Sequence, residues 1–219
     1  MIRIIHTVPT TLGLMAAAFV EIAQAGRPLA VDDAGTNAGG EGHVEVWTAR
    51  ADGATAWNLS PAYAVAEGLE LSALLSRDTT NKINGRAVQL KWLATTSRAT
   101  GCNVGVAGGG SRGSGQGASA NAGFVNGIFS CNGTPLGNLH ANLGSVKVSG
   151  ASASTTWGIA LEREVGRITP HVEWFGAEGS KPTFQLGARG DVAKNIQLDG
   201  TVGRSDGASL YSLGVKLRF

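Results

Sequence analysis

Charge is scarce in this chain and nearly balanced. Asp, Glu, Lys and Arg make up 16% of its 219 residues, and the formal net charge is +2. That balance implies neither a nucleic-acid groove nor a polybasic membrane patch. Beyond residue 25, no run approaches the roughly 18 consecutive apolar residues that a spanning helix requires, and helix-forming runs are missing as well. With only Cys102 and Cys131 present, a zinc site lacks its second ligand pair. Gly108-Gly109-Gly110 has no strand-then-helix setting, so a phosphate-cradling loop is excluded. No cofactor is implied.

What remains is abundant glycine, 33 residues, with polar residues scattered between apolar ones. These are the marks of many short strands. From His43 onward twelve segments can be counted, at about 43–50, 55–66, 69–78, 83–95, 100–110, 119–131, 136–148, 154–163, 168–176, 182–190, 195–203 and 208–219. Asp52-Gly53, Glu67-Gly68, Asn132-Gly133-Thr134-Pro135, Gly166, Gly179 and Asp206-Gly207 separate them as turn signals. Residues 108–118, rich in glycine and serine, read as a flexible loop.

Two pieces precede the segments. Leu12 to Val20 is an apolar run, and Ala23-Gln24-Ala25 supplies small-x-small, so residues 1–25 read as a secretory signal peptide cut after Ala25. Removing Arg3 and Glu21 with it leaves the net charge unchanged. Residues 26–42 read as a polar N-terminal periplasmic lead. Asp32 and Asp33 in it are expected to sit in a solvated linker; the alternative folds them into the periplasmic mouth against Arg189 or Arg218.

Alternation decides how the strands are used. Trp57, Leu59, Pro61, Tyr63 and Val65 fall on one face, and Asn58, Ser60, Ala62, Ala64 and Ala66 on the other. Trp157, Ile159 and Leu161 alternate likewise with Thr156, Gly158, Ala160 and Glu162. In a soluble barrel the bulky face would point inward, but twelve strands enclose more volume than their own side chains fill. The reverse arrangement is easier to satisfy, with bulky groups toward lipid and small, polar and charged groups toward a lumen. The 177 residues from 43 to 219 give 177/12, or about fifteen per strand plus turn, and a tilted membrane strand needs about 9–11. Closure follows, because an open edge in lipid leaves backbone groups unpaired. The expected fold is therefore all-β: a transmembrane antiparallel up-and-down β-barrel of about twelve strands over 43–219, placed in the bacterial outer membrane.

The last strand adds a signal of its own. Tyr211, Leu213, Val215, Leu217 and Phe219 alternate with Ser212, Gly214, Lys216 and Arg218 and end the chain on an aromatic. This resembles the signal by which the barrel-assembly machinery recognises its substrates.

Two stretches carry a family resemblance. Arg27-Pro28-Leu29-Ala30-Val31-Asp32-Asp33-Ala34-Gly35-Thr36 resembles the opening of the phenol-degradation meta-pathway (MetA-like) outer-membrane transporter family. Asn195-Ile196-Gln197-Leu198-Asp199, with the closing Gly214-Val215-Lys216-Leu217-Arg218-Phe219, is similar to its end. The resemblance implies an outer-membrane barrel that takes up small solutes, aromatic or apolar compounds among them.

Candidate residues follow from the two faces. Lumen-lining candidates are Glu45, Glu70, Lys91, His140, Glu162, His171, Glu173, Arg189, Asp199, Lys216 and Arg218. Both signs are present, so the lumen is either a mixed polar pore or closed by internal ion pairs. Cys102 and Cys131 lie in consecutive segments, symmetric about a hairpin centre between 116 and 117, and read as a disulfide in an exported protein. A membrane lipase pattern places Ser two residues after His; His140 is followed by Ala141-Asn142 and His171 by Val172-Glu173, so the serine is missing. A Ser-His-acid set drawn from distant segments is recognised by geometry, not by order. The function read from the sequence is a channel or transporter for small solutes, not an enzyme, with outer-membrane lipid as its surroundings and no nucleic-acid partner. The alternatives are a structural envelope barrel with a charge-plugged lumen and a membrane-embedded hydrolase.

Overall fold

A computed structural model describes residues 27–96, 99–116 and 118–219. The signal-peptide reading of residues 1–25 lies outside the described residues. Twelve strands follow one another: β1 (Gly42–Ala51), β2 (Ala54–Ala66), β3 (Leu69–Asp78), β4 (Ile83–Leu93), β5 (Gly101–Gly115), β6 (Ala118–Thr134), β7 (Gly137–Val148), β8 (Ala153–Glu162), β9 (Ile168–Ala177), β10 (Thr183–Ala193), β11 (Ile196–Ser205) and β12 (Ala208–Arg218). Each pairs antiparallel with its neighbours in sequence, and β12 returns to β1 to close the barrel. The seam runs from His43↔Arg218 to Ala51↔Leu210. No strand edge is left open, as hydrocarbon surroundings require.

Turn chemistry explains the tightest hairpins. Asp52 (φ 45°) and Gly53 (φ 77°) join β1 to β2, and Asp206 (φ 44°) and Gly207 (φ 86°) join β11 to β12. Two left-handed central residues match the twist of paired strands.

The wall is inverted relative to a soluble barrel. Trp57, Leu59, Tyr63 and Val65 are exposed, whereas Asn58, Ser60, Ala62 and Ala64 between them are buried. Along β12, Tyr211, Leu213, Val215 and Leu217 are exposed on the outside while Ser212, Gly214 and Lys216 lie inward. Trp157 and Trp174 meet edge-to-face on the outer surface at 5.1 Å. An apolar exterior around a charged, hydrogen-bonded interior is what a bilayer demands of a closed sheet. The chain is an outer-membrane β-barrel.

Two expectations are corrected. Most of the stretch 108–118 expected as a flexible loop is strand: β5 runs through Gly115, with Gly108↔Val125, Gly109↔Phe124 and Gly110↔Gly123 in register. Backbone pairing needs no side chain, and the Phe124 ring covers Gly109, 2.8 Å from where a Cβ would stand. The second correction concerns the lead. Residues 27–34 are not a solvated linker but turn into the barrel, where Leu29, Val31, Asp32 and Ala34 are buried to 1% exposure or less. Two apolar clusters of the interior contain lead residues: Leu29 and Val31 with Ala160, and Ala34 with Leu93, Ala107 and Ile128. The space that twelve strands cannot fill themselves is filled by the chain's own beginning.

Candidate functional site

The candidate site is the lumen together with the segment inside it. Arg27 comes first. Its guanidinium lies 4.8 Å over the Trp47 ring and donates to Asp199 Oδ1 from Nη2 at 2.7 Å and from Nε at 3.2 Å. Nη2 also donates to Ser212 Oγ at 2.9 Å, and the Arg27 carbonyl accepts from Gln197 Nε2 at 3.2 Å. A buried cation thus meets a carboxylate, a hydroxyl and an aromatic face.

The next residues are held through their backbone. Ala30 N and Val31 N both donate to Glu173 Oε2 at 2.7 Å, and Gln185 Nε2 holds the other oxygen of that carboxylate at 2.7 Å. Asn142 pairs with Asp32 as a strand would, accepting from its N at 2.7 Å and donating to its O at 2.8 Å. Lys91 Nζ lies 2.7 Å from Asp32 Oδ1 and donates to the carbonyls of Asp33 and Gly35 at 2.9 and 3.0 Å. Ala34 N donates to Ser130 Oγ at 2.8 Å, and Asn37 N and Nδ2 donate to Glu70 Oε2 at 2.8 and 2.7 Å. The segment thus touches β1, β3, β4, β6, β7, β9, β11 and β12, all round the wall.

Burial pushes the Asp32 carboxyl up to about 7, against the downward pull of Lys91. Burial acts upward on Asp33 too, but Lys91 and then His140 outweigh it and hold that group below its ordinary range.

Small wall residues leave the room the segment occupies. A Cβ at Gly158 would stand 2.7 Å from Val31 Cγ2, and one at Gly214 would stand 2.9 Å from Arg27 Nε. Any side chain there collides with the segment, not with the sheet alone.

The sequence candidates separate into groups by what they touch. Glu70, Lys91, Glu173 and Asp199 hold the segment directly. Glu45 pairs with Lys216 at 2.7 Å and Glu162 with Arg189 at 2.8 Å, wall to wall. His171 is buried, with Nε2 3.6 Å from Glu173 Oε1, and Arg218 meets Asp191 at 2.9 Å and Gln197 at 2.8 Å. The Asp32 carboxylate therefore pairs with Lys91 and not with Arg189 or Arg218, while Asp33 gives Lys91 its carbonyl and its carboxylate accepts from Gly35 N within the fields of Lys91, His140 and Arg189. Pattern reading passed over Arg27, Ser130, Asn142, Gln185 and Gln197. Each of the last four sits at an inward position of its strand, and that parity was the available signal; only a filter for charge hid them.

Ser130, His140 and Glu162 do form a line. Ser130 Oγ is 2.8 Å from His140 Nδ1, and His140 Nε2 is 3.6 Å from Glu162 Oε1. The serine oxygen also accepts from Ala34, and Arg189 takes the Glu162 oxygen. The arrangement anchors the segment and does not present a free nucleophile. Cys102 and Cys131 lie opposite one another on β5 and β6, outside the lumen, and are joined as a disulfide with Cα atoms 4.0 Å apart.

Among solved structures, the KdgM porin in complex with disordered oligogalacturonate is similar at 18% identity and TM-score 0.63, covering 81% of this chain and 99% of that one. The NanC porin follows at 11% identity and TM-score 0.60, covering 80% and 98%. Outer membrane phospholipase A from Escherichia coli aligns at 11% identity and TM-score 0.51, covering 91% and 96%. At such identities the likeness is one of fold. No curated protein matches the sequence. None of these comparisons supports the phenol-degradation meta-pathway family that the opening and closing motifs resemble. Residues 13–219 instead match the family described as "Uncharacterised conserved protein UCP029691", and the chain belongs to that family.

Proposed function

We propose that the protein is an outer-membrane channel for small polar solutes, closed at rest by its own residues 27–41. The observation that carries this is the way the segment is tied in. Polar wall groups bind its backbone and its charges, and each of those groups could bind water or solute in its place. The aromatic or apolar solutes implied by the family resemblance fit less well, because the long inward side chains that reach the lumen include Glu45, Glu70, Gln89, Lys91, Glu173, Gln185 and Gln197, set among small Ala and Gly. KdgM holds an oligogalacturonate, a polar solute, in a barrel of the same fold. In this reading residues 1–25 are the export signal, 26–42 start from the periplasmic side, and Tyr211, Leu213, Val215, Leu217 and Phe219 address the chain to the barrel-assembly machinery. In the closed state Ser130 Oγ accepts from Ala34 N, so in this reading it serves as an anchor of the segment.

Planar-bilayer recording tests the proposal. The full chain is expected to show little current, and a chain lacking residues 27–38 a large, steady one. Silence from both would favour the second reading, a structural barrel, for which the wall-to-wall pairs Glu45–Lys216 and Glu162–Arg189 speak.

A further inference from the structure

Charge on the outer surface of the wall is entirely of one sign. The outward positions of the twelve strands carry Arg50, Arg77, Arg86, Arg112, Lys147 and Arg204, all exposed, and no Asp or Glu. All six lie toward the turns that follow β1, β3, β5, β7 and β11, the end of the barrel remote from the start of β1 and the end of β12. Outward positions at the opposite end are apolar, among them Val65, Leu69, Trp92, Ile196 and Leu217. Leu75, Val88 and Val202 lie one outward step deeper than Arg77, Arg86 and Arg204, so the cations crown the apolar belt. That is the level at which lipid headgroups meet a barrel.

These cations have no ionic partner among the described residues. Among the described residues, none of the six has a carboxylate at ion-pair distance, and Arg77 donates only to Asn84 Oδ1, at 3.0 Å. Acids do occur in the turns at this end, but Asp206 is taken by Lys181. The densest part lies on β3, β4 and β5, where Arg86 stands directly opposite Arg112 and Arg77 is opposite Asn84, two residues from Arg86. Directly opposed side chains have Cβ atoms about 4.5–5.5 Å apart, and like charges so placed repel. An anion between them turns the repulsion into attraction. Guanidinium forks match phosphate oxygens in pairs, and five of the six are arginine.

We propose that this rim binds a phosphate-bearing lipid headgroup of the surrounding leaflet, seated on Arg77, Arg86 and Arg112, with Arg50, Lys147 and Arg204 extending the contact round the barrel. The site faces the bilayer and not the lumen, so it stands whether or not the barrel conducts. A lipid is favoured over free phosphate because the residues beside the cluster are those of the acyl belt.

Native mass spectrometry of the full chain in detergent micelles provides the test, with bisphosphorylated lipid A, its dephosphorylated form and inorganic phosphate as probes. The bisphosphorylated lipid should be retained, and Arg77→Gln/Arg86→Gln/Arg112→Gln should weaken retention about a hundredfold, at about fivefold per surface cation removed. Arg86→Lys/Arg112→Lys, which keeps the charge and loses the fork, should fall between. Arg163→Gln/Arg167→Gln, in the turn at the other end, should bind as the wild type does. Equal retention of the dephosphorylated lipid, or unchanged retention by the triple variant, overturns the proposal. An equal loss in the Arg163/Arg167 variant overturns the location. If inorganic phosphate binds as well as the lipid, the site is one for free anions and the lipid assignment falls. Heat-modified mobility checks that each variant is folded, and Arg112→Gln alone, expected about fivefold weaker, serves should the triple variant not fold.

Discussion

The outside and the inside of this barrel wall carry charge under different rules. Outside, cations stand at one rim without carboxylates, waiting on groups from the surroundings. Inside, acids and bases interleave, and the chain itself supplies what they need: Asp199 has Arg27, Lys91 has Asp32, Glu45 has Lys216 and Glu162 has Arg189. The difference follows from solvent. A group facing headgroups can draw an ion from them, while one enclosed in the lumen has to be matched from within or remain hydrated. Unmatched charge therefore marks contact with the environment, and matched charge marks contact within the fold.

Breaking an internal match should have the largest effect. Lys91→Met leaves Asp32 buried beside no cation, which costs about 3–5 kcal/mol where a buried pair is split. The closed barrel is expected to survive, with the segment released: current should rise in bilayers, and residues 27–41 should become open to protease. Unchanged current together with unchanged protection would show that the segment does not depend on this pair. Placing a charge where the outside admits none comes next. Leu213→Arg, at the middle of β12 and 69% exposed, should lower folding stability by about 2–4 kcal/mol in lipid. Urea titration followed by gel mobility reads it, and a neutral result would contradict the outward assignment of that face.

Acidity gives a gentler handle on the same match. Burial lifts the Asp32 carboxyl to about 7 in the docked segment, against the pull of Lys91, so it binds protons at higher pH docked than freed. Docking is thus strongest below about pH 4 and weakens as the pH rises through about 7. Current from the full chain should grow between pH 5 and 8, and Asp32→Asn should flatten that dependence. A steeper rise in Asp32→Asn would point to another group. The smallest effect belongs to Cys102→Ser/Cys131→Ser. The bond spans 29 residues, but β5 and β6 are already paired along their length, so less than the roughly 3 kcal/mol of loop-closure stabilisation should be lost. A drop of only a few degrees in the temperature of heat modification is expected.

The wall was legible in the sequence because it is periodic. Trp57 to Val65 and Tyr211 to Phe219 alternate strictly, and Asp52-Gly53 and Asp206-Gly207 announce their turns, so the twelve segments lie within a few residues of the twelve strands. Where side chains are absent the signal fails: Gly108, Gly109 and Gly110 look like linker although their backbones are fully paired. Placement of the segment was not legible for a different reason. Its contacts join residues far apart in sequence, Arg27 to Asp199 and Val31 to Glu173, and no local period encodes such a meeting. The charged candidates on the inward face could be named by parity, but their pairing depended on knowing that a second strand of chain lay among them.

Gly158 and Gly214 give the lumen a consequence of its own. At Gly158 an added Cβ would meet Val31 Cγ2 at 2.7 Å before the wall's own Phe175 at 3.1 Å, whereas at Gly214 the wall's Asp199 crowds it at 2.8 Å beside Arg27. Tolerance to substitution at Gly158 would then work as a gauge of occupancy, poor while the guest is in and better in a chain that has lost it, with Gly214 crowded in both.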